Sequence, residues 1–472
     1  MANKIIISDI NLGGLADSMF QGQKNSVAEM VGFDIHSEPG ILKVNQKLTK
    51  ESGSTIDDLV KVILPCSDGN TYLFGSTTGK IWKRTSAGAY SLEATAAPAA
   101  GSAGIIDAYE YQGYIYYSMQ SRLGRVAVGA PTAWAGRNDN WQTFTNTDSE
   151  FHPFIEQNQV LYCGDAFYLA QVDAGVFSAA ALDIKTPLRI KSLGKILTDV
   201  LLGTFVNVYR VATEIFRWNT WSTDSYQSSD DIPEVGINCF LRTDNAVLVN
   251  VGRKGNIYSY NGSQLEPFKR IPGDWLGTNE GQIHPNAAAN MYGLPLFGLS
   301  NISGNPAKQG VYSLGGYDRN YPKVLNLEWL ISTGNSSGID IGAIELVGTV
   351  LLVSWKDTTG GTTYGVDKLD LTAKVATAYF CTRVIKAARH DKKVLTGFVP
   401  YRSLPTGTSI KIYHKVNYAG SWTEATTVVD TDRMEVHCKE ALPEANTIQI
   451  KVEANASANL APEIEGAEFS FD

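Results

Sequence analysis

The stretch VLVNVGRKGNIYSYNGSQLEPFKRI, from Val247 to Ile271, carries the pattern that decides the fold of this chain. It begins with the apolar run VLVNV, passes through a glycine-containing turn into the alternating segment GNIYSYNG, and closes with LEPFKRI. A further short segment, INCFLRT, precedes it at 237–243. Short strands separated by Gly, Asn and Asp turns are typical of antiparallel hairpins. The stretch therefore predicts a four-stranded antiparallel sheet.

The same design recurs along the chain. Comparable segments, with an apolar strand, a turn and an aromatic strand, begin at Lys61, Asp107, Pro153, Val200, Met291 and Ala343. The units recur at roughly 35 to 55 residues, a period that belongs to propeller blades of four strands. A lone twisted sheet cannot cover both of its apolar faces, whereas radial stacking buries each blade against its neighbours. We therefore predict an all-β fold, an irregular β-propeller of about seven blades. Six or eight blades remain possible counts, and tandem β-sandwiches are the alternative architecture.

Three regions follow from changes in this pattern. Residues 59–375 form the predicted propeller. Residues 1–58 form an N-terminal arm that packs on the propeller or on another subunit, with a short helix near Gln23–Met30. From about residue 376 the strands lengthen, and residues 376–472 predict a C-terminal β-sandwich.

Composition and charge limit the classes of function. The chain has 472 residues, 43% apolar and 19% charged, with a net charge of −8 spread along its length. This mild acidity argues against a protein that grips nucleic acid, because phosphate binding requires clustered Lys and Arg. The apolar runs are too short for a secretory signal or a membrane span. We therefore expect a protein that is made in the cytoplasm and makes no membrane contact.

The cysteines show no pattern of a disulfide framework or a zinc site. There are five, far apart and without a C-x-x-C pair: Cys66, Cys163, Cys239, Cys381 and Cys438. An odd and scattered set predicts reduced thiols that pack as small apolar side chains.

Two segments resemble catalytic motifs without meeting their structural requirements. Gly334–Gly338 satisfies G-x-S-x-G, but a nucleophile elbow needs a helix after the serine and the residues that follow predict a strand. Ser354–Tyr364, SWKDTTGGTTY, is close to the Asp-box of sialidase-type propellers, but its Ser-to-Asp spacing is one residue off. We predict a turn in the first case and a long hairpin in the second.

Charged and metal-ligating residues also form no convergent set. Asp230, Asp231 and Glu234 cluster in a Ser/Pro loop, where solvated acids are the expectation and calcium binding is the alternative. Arg389, Lys392 and Lys393 form the densest basic segment and predict a solvated turn. The histidines are never spaced as a metal-binding pair on one element: His36, His152, His284, His390, His414 and His437. We therefore predict no catalytic residues, no cofactor-binding residues and no metal ligands, and a protein that is not an enzyme.

The order of arm, irregular propeller and sandwich resembles the tail hub or nozzle proteins of tailed bacteriophages, of the packaged-DNA stabilisation type. Residues 204–225, TFVNVYRVATEIFRWNTWSTDS, followed by 245–271, are similar to paired propeller segments of those proteins. The segment at 13–44, GGLADSMFQGQKNSVAEMVGFDIHSEPGILKV, is similar to their N-terminal arm, and 410–422, IKIYHKVNYAGSW, to their C-terminal sandwich. No segment is a sharp motif, so no site residue is carried over.

The resemblance implies a structural virion protein in the tail or neck of the particle. Such proteins form a homo-oligomeric ring, often sixfold, below the portal or its adaptor, and contact other tail proteins. The resemblance also implies that DNA passes through the lumen without sequence-specific binding. An acidic lining would repel the DNA backbone and let it slide.

Two other functions stay open at this point. The first is a receptor- or glycan-binding propeller at a phage tail tip, with the aromatic side chains of NDNWQTF and RWNTWS stacking on sugars. The second is a polysaccharide-degrading propeller enzyme. For these aromatics, packing in a blade core is the favoured expectation.

Overall fold

The computed structural model describes residues 3–22, 24–97, 104–146, 150–206, 213–222, 225–243, 246–315, 323–386, 393–417 and 421–471. Within these ranges the fold is almost entirely β. Its helical parts are one turn of α-helix, α1 (Ile10–Gly13), and a 3-10 turn at Trp134–Gly136. The first strands are β1 (Asn3–Ile7), β2 (Glu29–Val31), β3 (Phe33–Asp34), β4 (Leu42–Val44) and β5 (Gln46–Lys50).

Five antiparallel blades follow one another, each with four strands in sequence order. The first blade contains β6 (Val60–Pro65), β7 (Thr71–Gly75), β8 (Lys80–Arg84) and β9 (Tyr90–Thr95). The second contains β10 (Asp107–Tyr111), β11 (Tyr114–Ser118), β12 (Arg122–Ala127) and β13 (Asn138–Thr143). The third contains β14 (Phe154–Gln157), β15 (Val160–Asp165), β16 (Tyr168–Asp173) and β17 (Val176–Asp183). The fourth contains β18 (Arg189–Ile196), β19 (Asp199–Phe205), β20 (Thr213–Trp218) and β21 (Ser228–Ile232). The fifth contains β22 (Ile237–Arg242), β23 (Val247–Val251), β24 (Asn256–Tyr260) and β25 (Leu265–Arg270).

The remaining strands complete the ring and form the C-terminal part. The sixth blade contains β26 (Glu280–Met291), β27 (Leu294–Ser303), β28 (Gly310–Leu314) and β29 (Leu325–Trp329). The seventh contains β30 (Ile339–Val347), β31 (Val350–Asp357), β32 (Thr363–Lys374) and, as its outermost strand, β5. The C-terminal strands are β33 (Thr377–Cys381), β34 (Ile385–Lys386), β35 (Lys393–Ser403), β36 (Ser409–Val416), β37 (Thr423–Glu424), β38 (Thr427–Asp430), β39 (Glu435–Leu442), β40 (Thr447–Asn455), β41 (Glu463–Ile464) and β42 (Ala467–Phe471).

The blades close into a ring. The innermost strand of each blade contacts the innermost strand of the next, in the order β6, β10, β14, β18, β22, β26 and β30, and β30 contacts β6 again. Six of the seven units are separate four-stranded sheets, while the sixth blade continues into a ten-stranded sheet. The prediction of an irregular β-propeller is confirmed, and the stretch from Val247 to Ile271 with the segment before it forms the fifth blade, as predicted.

The N-terminal segment is interlaced with both the ring and the C-terminal strands. β5 pairs with β32, and β2 lies between β29 of the sixth blade and β33, with Val31 opposite Leu327 on one side and Tyr379 on the other. β4 pairs with β41, and β1 pairs with β42. Sheets therefore run across the sequence divisions at residues 58 and 375.

The helix predicted near Gln23–Met30 is wrong for the residues that the structure describes there, 24–30. Val27 forms an isolated β-bridge with Leu15, and Glu29–Val31 is a strand. Val27 and Met30 are almost fully buried against the main core. Pairing on both sides of β2 satisfies the backbone better than one short helix would, so tertiary contacts override the local helix propensity.

Small residues on the second strand let the next blade approach closely. The close pairs are Gly164 with Ile190, Gly203 with Ile237, and Gly298 with Ile341. A Cβ added at Gly298 would lie 2.2 Å from Cγ2 of Ile341, far inside van der Waals contact. Glycine is therefore required here because two blades stack, and not because of an unusual backbone conformation.

The variant Gly298→Ala is expected to lower the free energy of unfolding by about 1–3 kcal/mol, the usual cost of overpacking a core. Urea unfolding followed by tryptophan fluorescence measures it. Gly360→Ala is the matched control, since a Cβ there meets no atom within 4 Å. An equal effect of the two substitutions would contradict the stacking argument.

Candidate functional site

A cavity of about 580 Å³ lies on the propeller axis, at the end where the innermost strands begin. A second cavity of about 320 Å³ shares Lys61, Gln282 and His284 with it, so the two are parts of one axial space. Its wall is formed by the first residues of the innermost strands and by the loops that precede these strands. Polar side chains from different blades thereby meet at one place.

Beta-bulges place several of these side chains. The strand register skips Lys61 in β6, Lys191 in β18, Asn238 in β22 and His284–Ala287 in β26. A bulge leaves its extra residue outside the ladder and turns its side chain in a new direction. Here the bulges take Lys61, Lys191, Asn238 and His284 out of the regular alternation of their strands.

Lys191 is the most enclosed cation of the cavity, with 7% of its surface exposed. Its Nζ donates a hydrogen bond to Oδ1 of Asn238 at 2.6 Å and lies 5.2 Å and 5.4 Å from the ring centroids of Phe151 and Phe205. Burial lowers the pKa of Lys191 to about 8, with repulsion from Arg253 as the next cause. The two aromatic rings partly compensate the lost hydration by cation–π attraction.

Lys61 and His284 face the cavity without a protein partner. No residue that the structure describes accepts a hydrogen bond from the Lys61 ammonium or forms an ion pair with it, and the same holds for the His284 imidazole. Burial lowers the pKa of Lys61, although Asp340, Asp58 and Glu150 act in the opposite direction. Burial, together with the charges of Lys61 and Lys191, lowers the pKa of His284 well below 6.5, so its imidazole is neutral at pH 7.

Asp107 is held entirely by protein donors. Its Oδ2 accepts from the Phe154 backbone N–H at 2.7 Å, and its Oδ1 accepts from the Ala108 N–H and from Nδ2 of Asn286, both at 2.9 Å. Burial nevertheless raises the pKa of Asp107 to about 6. This carboxyl group connects the second, third and sixth blades.

Four other charged groups lie at the wall of the axial space: Arg253, Asp340, Lys356 and Glu150. Arg253 Nη1 pairs with Glu280 at 3.1 Å, and Asp340 lies 3.7 Å from Lys356 Nζ. Burial raises the pKa of Asp340. Glu150 is exposed at the wall and forms no ion pair with a described residue. The cavity thus holds cations and acids together.

The segments singled out by sequence motifs form no site of their own, although Lys356 and Tyr364 of the second segment line the smaller axial cavity. Gly334–Gly338 is a loop between β29 and β30, with no helix after Ser336, and Ser354–Tyr364 is the β31–β32 hairpin with Asp357 opposite Thr363. Both predictions are confirmed. Asp230 and Asp231 lie on β21, while Glu234 accepts a hydrogen bond from Asn256 at 2.6 Å. Among the described residues no group of three His, Cys, Asp or Glu side chains could hold a metal ion.

Two of the histidines, His152 and His284, line the axial cavity, and the other described histidines do not. His36 contacts Glu328, and His152 is buried with its ring nitrogens facing the carbonyls of Gly164 and Gln120. Arg389, His390 and Lys392 lie outside the described residues, and Lys393 begins β35. The five cysteines form no disulfide, and four of them are buried, as predicted.

Sequence reasoning missed Lys61, Lys191 and His284 as a group. A signal was present for Lys61, which interrupts the apolar segment VKVIL, but Lys191 lies in RIKSL, which also contains Arg189 and Ser192. The alternation of apolar and polar residues along a strand does not decide which face of the blade Lys61 and Lys191 occupy. The bulges that turn them to the axis depend on pairing with the second strand and are not visible in the local pattern.

A second surface lies on the C-terminal sandwich. Its outer sheet presents one aligned row of side chains across five strands, from β1 to β38: Ile6, Glu468, Phe398, His437 and Val428. Ile6 is 54% exposed and Val428 is 63% exposed. We call this row, together with Val394 on the same face of β35, the outer sandwich face. No described residue of the chain covers it.

The two tryptophan segments considered for sugar stacking differ in exposure. Trp218 is buried against Tyr162, and Trp141 packs between Tyr116 and Phe177. Trp221 is 87% exposed, in the loop between β20 and β21. That loop lies at the opposite end of the ring from the axial cavity.

Comparisons with known proteins concern the fold. No protein-family model matches this sequence, and no curated protein sequence matches it. The chain is similar to the extracellular domain of a one component system from B. thetaiotaomicron, at 12% identity and a TM-score of 0.46, over 83% of this chain and 48% of that one. It therefore spans about half the length of that domain.

Two further solved structures resemble the ring. One is the WD40 domain of Neurospora crassa Pan2, at 8% identity and a TM-score of 0.42, over 69% of this chain and 96% of that domain. The other is virginiamycin B lyase from Staphylococcus aureus, at 12% identity and a TM-score of 0.39, over 63% of this chain and 96% of the lyase. These likenesses agree with a propeller and extend no further. In the described ranges, no helix is long and apolar enough to cross a membrane.

Proposed function

We propose that this protein is a structural virion protein of a tailed bacteriophage, a hub, nozzle or neck component that forms a homo-oligomeric ring around the DNA channel. The resemblance of its sequence to the packaged-DNA stabilisation type of tail protein supports the assignment to a phage particle. The same resemblance favours a sixfold ring. The portal or its adaptor and other tail proteins are its proposed neighbours. Its role in this proposal is geometric and requires no catalysis.

The observation that carries the proposal is the outer sandwich face. Apolar side chains from β1, β35 and β38 lie in one cross-strand row on a sheet that no described residue covers. Exposed apolar groups that form a contiguous patch mark protein contacts more often than scattered single residues do. We assign this face to a second copy of the chain. The row alternates apolar residues with Glu468 and His437, so it offers apolar contact together with polar groups that can fix the alignment of the two copies.

The interlaced N-terminal segment supports the same role. β2 joins the sixth blade to the sandwich within one sheet, and β5 completes the seventh blade. A subunit built this way transmits force between its two parts through hydrogen-bonded strands and not through a linker. Such a body suits a ring that must keep its shape while DNA passes.

In this proposal the DNA passes between subunits and not along the axis of one propeller. The axial space of a single propeller is about 580 Å³, within the range of small-molecule pockets. Lys61, Lys191 and their neighbours occupy its wall. In this proposal the DNA channel is the central opening of the ring that several copies of the chain form together.

The test is the assembly state of the purified protein and of the variant Val428→Lys. We expect the unmodified protein to form rings in negative-stain images and a multiple of 51.3 kDa by mass photometry. A lysine in the middle of an apolar contact would have to be buried unpaired, so Val428→Lys is expected to be a folded monomer. Val176→Lys, at an exposed position of the third blade, is the matched control and should still form rings.

Two results would refute the proposal. One is a monomer at every concentration together with absence of the protein from phage particles released by the producing cells. The other is unchanged ring formation by Val428→Lys, which would move the contact away from the outer sandwich face.

One observation favours a second candidate, the receptor- or glycan-binding propeller. Trp221 presents its ring to solvent, and an exposed indole can stack on a sugar face. Binding of the protein to host cells that is abolished by Trp221→Ala, in a preparation that does not form rings, would favour this function over the first.

A further inference from the structure

The axial cavity contains a cation that the protein itself does not neutralise. Lys61 projects from a bulge in β6, and no described residue lies within hydrogen-bond distance of its ammonium group. A charged group that loses hydration without gaining a partner is costly. Burial already lowers the pKa of Lys61 for this reason, so an anion that entered the cavity would stabilise the charged form.

The other cations of the wall are engaged. Lys191 is bonded to Asn238 and enclosed by two phenylalanine rings, and Arg253 pairs with Glu280. Asp107 has a protein donor at both oxygens. The ammonium group of Lys61 is therefore available to form an ion pair with a bound anion.

Acidic groups limit how much negative charge the cavity accepts. Asp340 lies at the wall on the seventh blade, 3.7 Å from Lys356, and Glu150 lies at the wall between the second and third blades. Both would repel a dianion or a polyanion. A single carboxylate matches the charge that the site leaves unpaired better than a phosphate ester or a nucleic acid does.

The remaining free groups are neutral hydrogen-bonding side chains. The His284 imidazole and the side-chain amides of Gln120 and Gln282 line the cavity, and no described residue pairs with them. Each can donate to or accept from a hydroxyl group. A cavity of about 580 Å³ holds a molecule of the size of a monosaccharide with room for water.

We propose that the axial cavity binds a small hydroxylated monocarboxylate, such as a sugar acid, with its carboxylate on Lys61 and its hydroxyl groups on His284, Gln120 and Gln282. The ligand is either free or the acidic end of a glycan, since the chemistry that recognises it is the same. This site is independent of the proposed ring, because its residues all belong to the propeller of one subunit.

The test is isothermal titration of the whole protein with glucuronate, glucose and glucose 6-phosphate. Glucuronate is expected to bind, glucose to bind at least about tenfold more weakly, and glucose 6-phosphate to bind more weakly than glucuronate. A glucuronate-capped oligosaccharide separates the two sources of ligand. If this oligosaccharide binds, the ligand is the acidic end of a glycan. If it does not bind, the ligand is the free acid.

The variant Lys61→Met removes the ammonium and keeps the length of the side chain. We expect it to reduce the affinity for glucuronate about ten- to a hundredfold, the usual range for one charge-assisted hydrogen bond. It should fold, because it removes a buried charge that has no partner. His284→Gln is the second variant, and Lys47→Met, on the outermost strand of the seventh blade, is the control that should bind like the unmodified protein.

The proposal is overturned if glucuronate does not bind, if Lys61→Met binds it as tightly as the unmodified protein, or if glucose 6-phosphate binds more tightly than glucuronate. The last result would assign the cavity to a phosphate ester.

Discussion

Removal of residues 1–50 is expected to abolish the native fold of the whole chain, including the blades that follow it in sequence. The deletion takes away β5, the outermost strand of the seventh blade, and β2, the strand that joins the sixth blade to the sandwich. It also removes many side chains of the main core: Ile7, Ile10, Leu15, Val27, Met30, Val31, Phe33, Ile35, Leu42, Val44 and Leu48. Burial of each contributes about 1.5–3 kcal/mol, and their sum exceeds the 5–15 kcal/mol that stabilises a typical domain.

The measurement is near-ultraviolet circular dichroism together with thermal unfolding. The shortened chain is expected to lose the aromatic signal and the cooperative transition. Deletion of residues 1–8 is the control, since β1 is an edge strand that pairs only with β42 among the described strands. That shorter deletion should lower the melting temperature and leave a cooperative transition. A native aromatic signal after removal of residues 1–50 would contradict the interlaced architecture.

The second large effect is expected at Glu328, a carboxylate on β29 with 2% of its surface exposed. It accepts hydrogen bonds from Nε2 of His36 at 2.9 Å and Nδ2 of Asn45 at 2.8 Å, both in the N-terminal segment. Within the sixth blade it accepts from Oγ of Ser313 at 2.5 Å and Nδ2 of Asn326 at 2.8 Å. This carboxylate therefore fixes the N-terminal segment to the ring.

The variant Glu328→Gln keeps the shape of the side chain but turns an amide toward four donors. We expect it to lower the free energy of unfolding by about 3–5 kcal/mol, as when one partner of a buried pair is removed. Chemical denaturation measures the loss. Glu424→Gln is the matched control, because Glu424 and its partner Lys411 are both exposed and an exposed pair contributes less than about 1 kcal/mol. If Glu328→Gln lowers the free energy of unfolding by less than about 1 kcal/mol, the hydrogen bonds to Glu328 do not hold the N-terminal segment on the ring.

The same substitution should change how stability depends on pH. Burial lowers the pKa of His36, but the Glu328 carboxylate outweighs it and holds that pKa above the ordinary value of 6.5. A raised pKa makes the folded state bind more protons than the unfolded chain, so this contribution is complete below pH 6.5 and is lost as the pH rises through the raised pKa. The difference in stability between the unmodified protein and Glu328→Gln should therefore shrink as the pH rises through the raised pKa of His36. Nδ1 of His36 has no partner among the described residues, which opposes protonation and keeps this pH effect modest.

The repeating unit was predictable because its causes are local. In the fifth blade, Gly252 and Gly262 adopt positive φ angles at the turns, and the apolar run from Val247 to Val251 is buried throughout. Glycine at such turns and strands that are apolar on both faces can be recognised within a few neighbouring residues. Closure into a ring then follows from the need to cover both faces of every blade.

The candidate cavity could not be predicted in the same way. Lys61, Lys191 and His284 lie in three different blades, and each reaches the axis through a bulge set by pairing with the strand beside it. A one-residue change of register moves a side chain to the other face of a sheet. Their convergence is therefore a property of the register and of the closed ring.

The sequence by itself determined the short strands, the turns, the recurrence of the unit and the change to longer strands near residue 376, because each depends on residues close together in the chain. The tertiary structure alone decided the course of residues 3–50, because β2 and β5 gain their hydrogen bonds from strands nearly 300 or more positions away. It also decided which polar side chains face the axis and which apolar side chains remain on the outer sandwich face. These depend on pairing between distant strands, which no local pattern encodes.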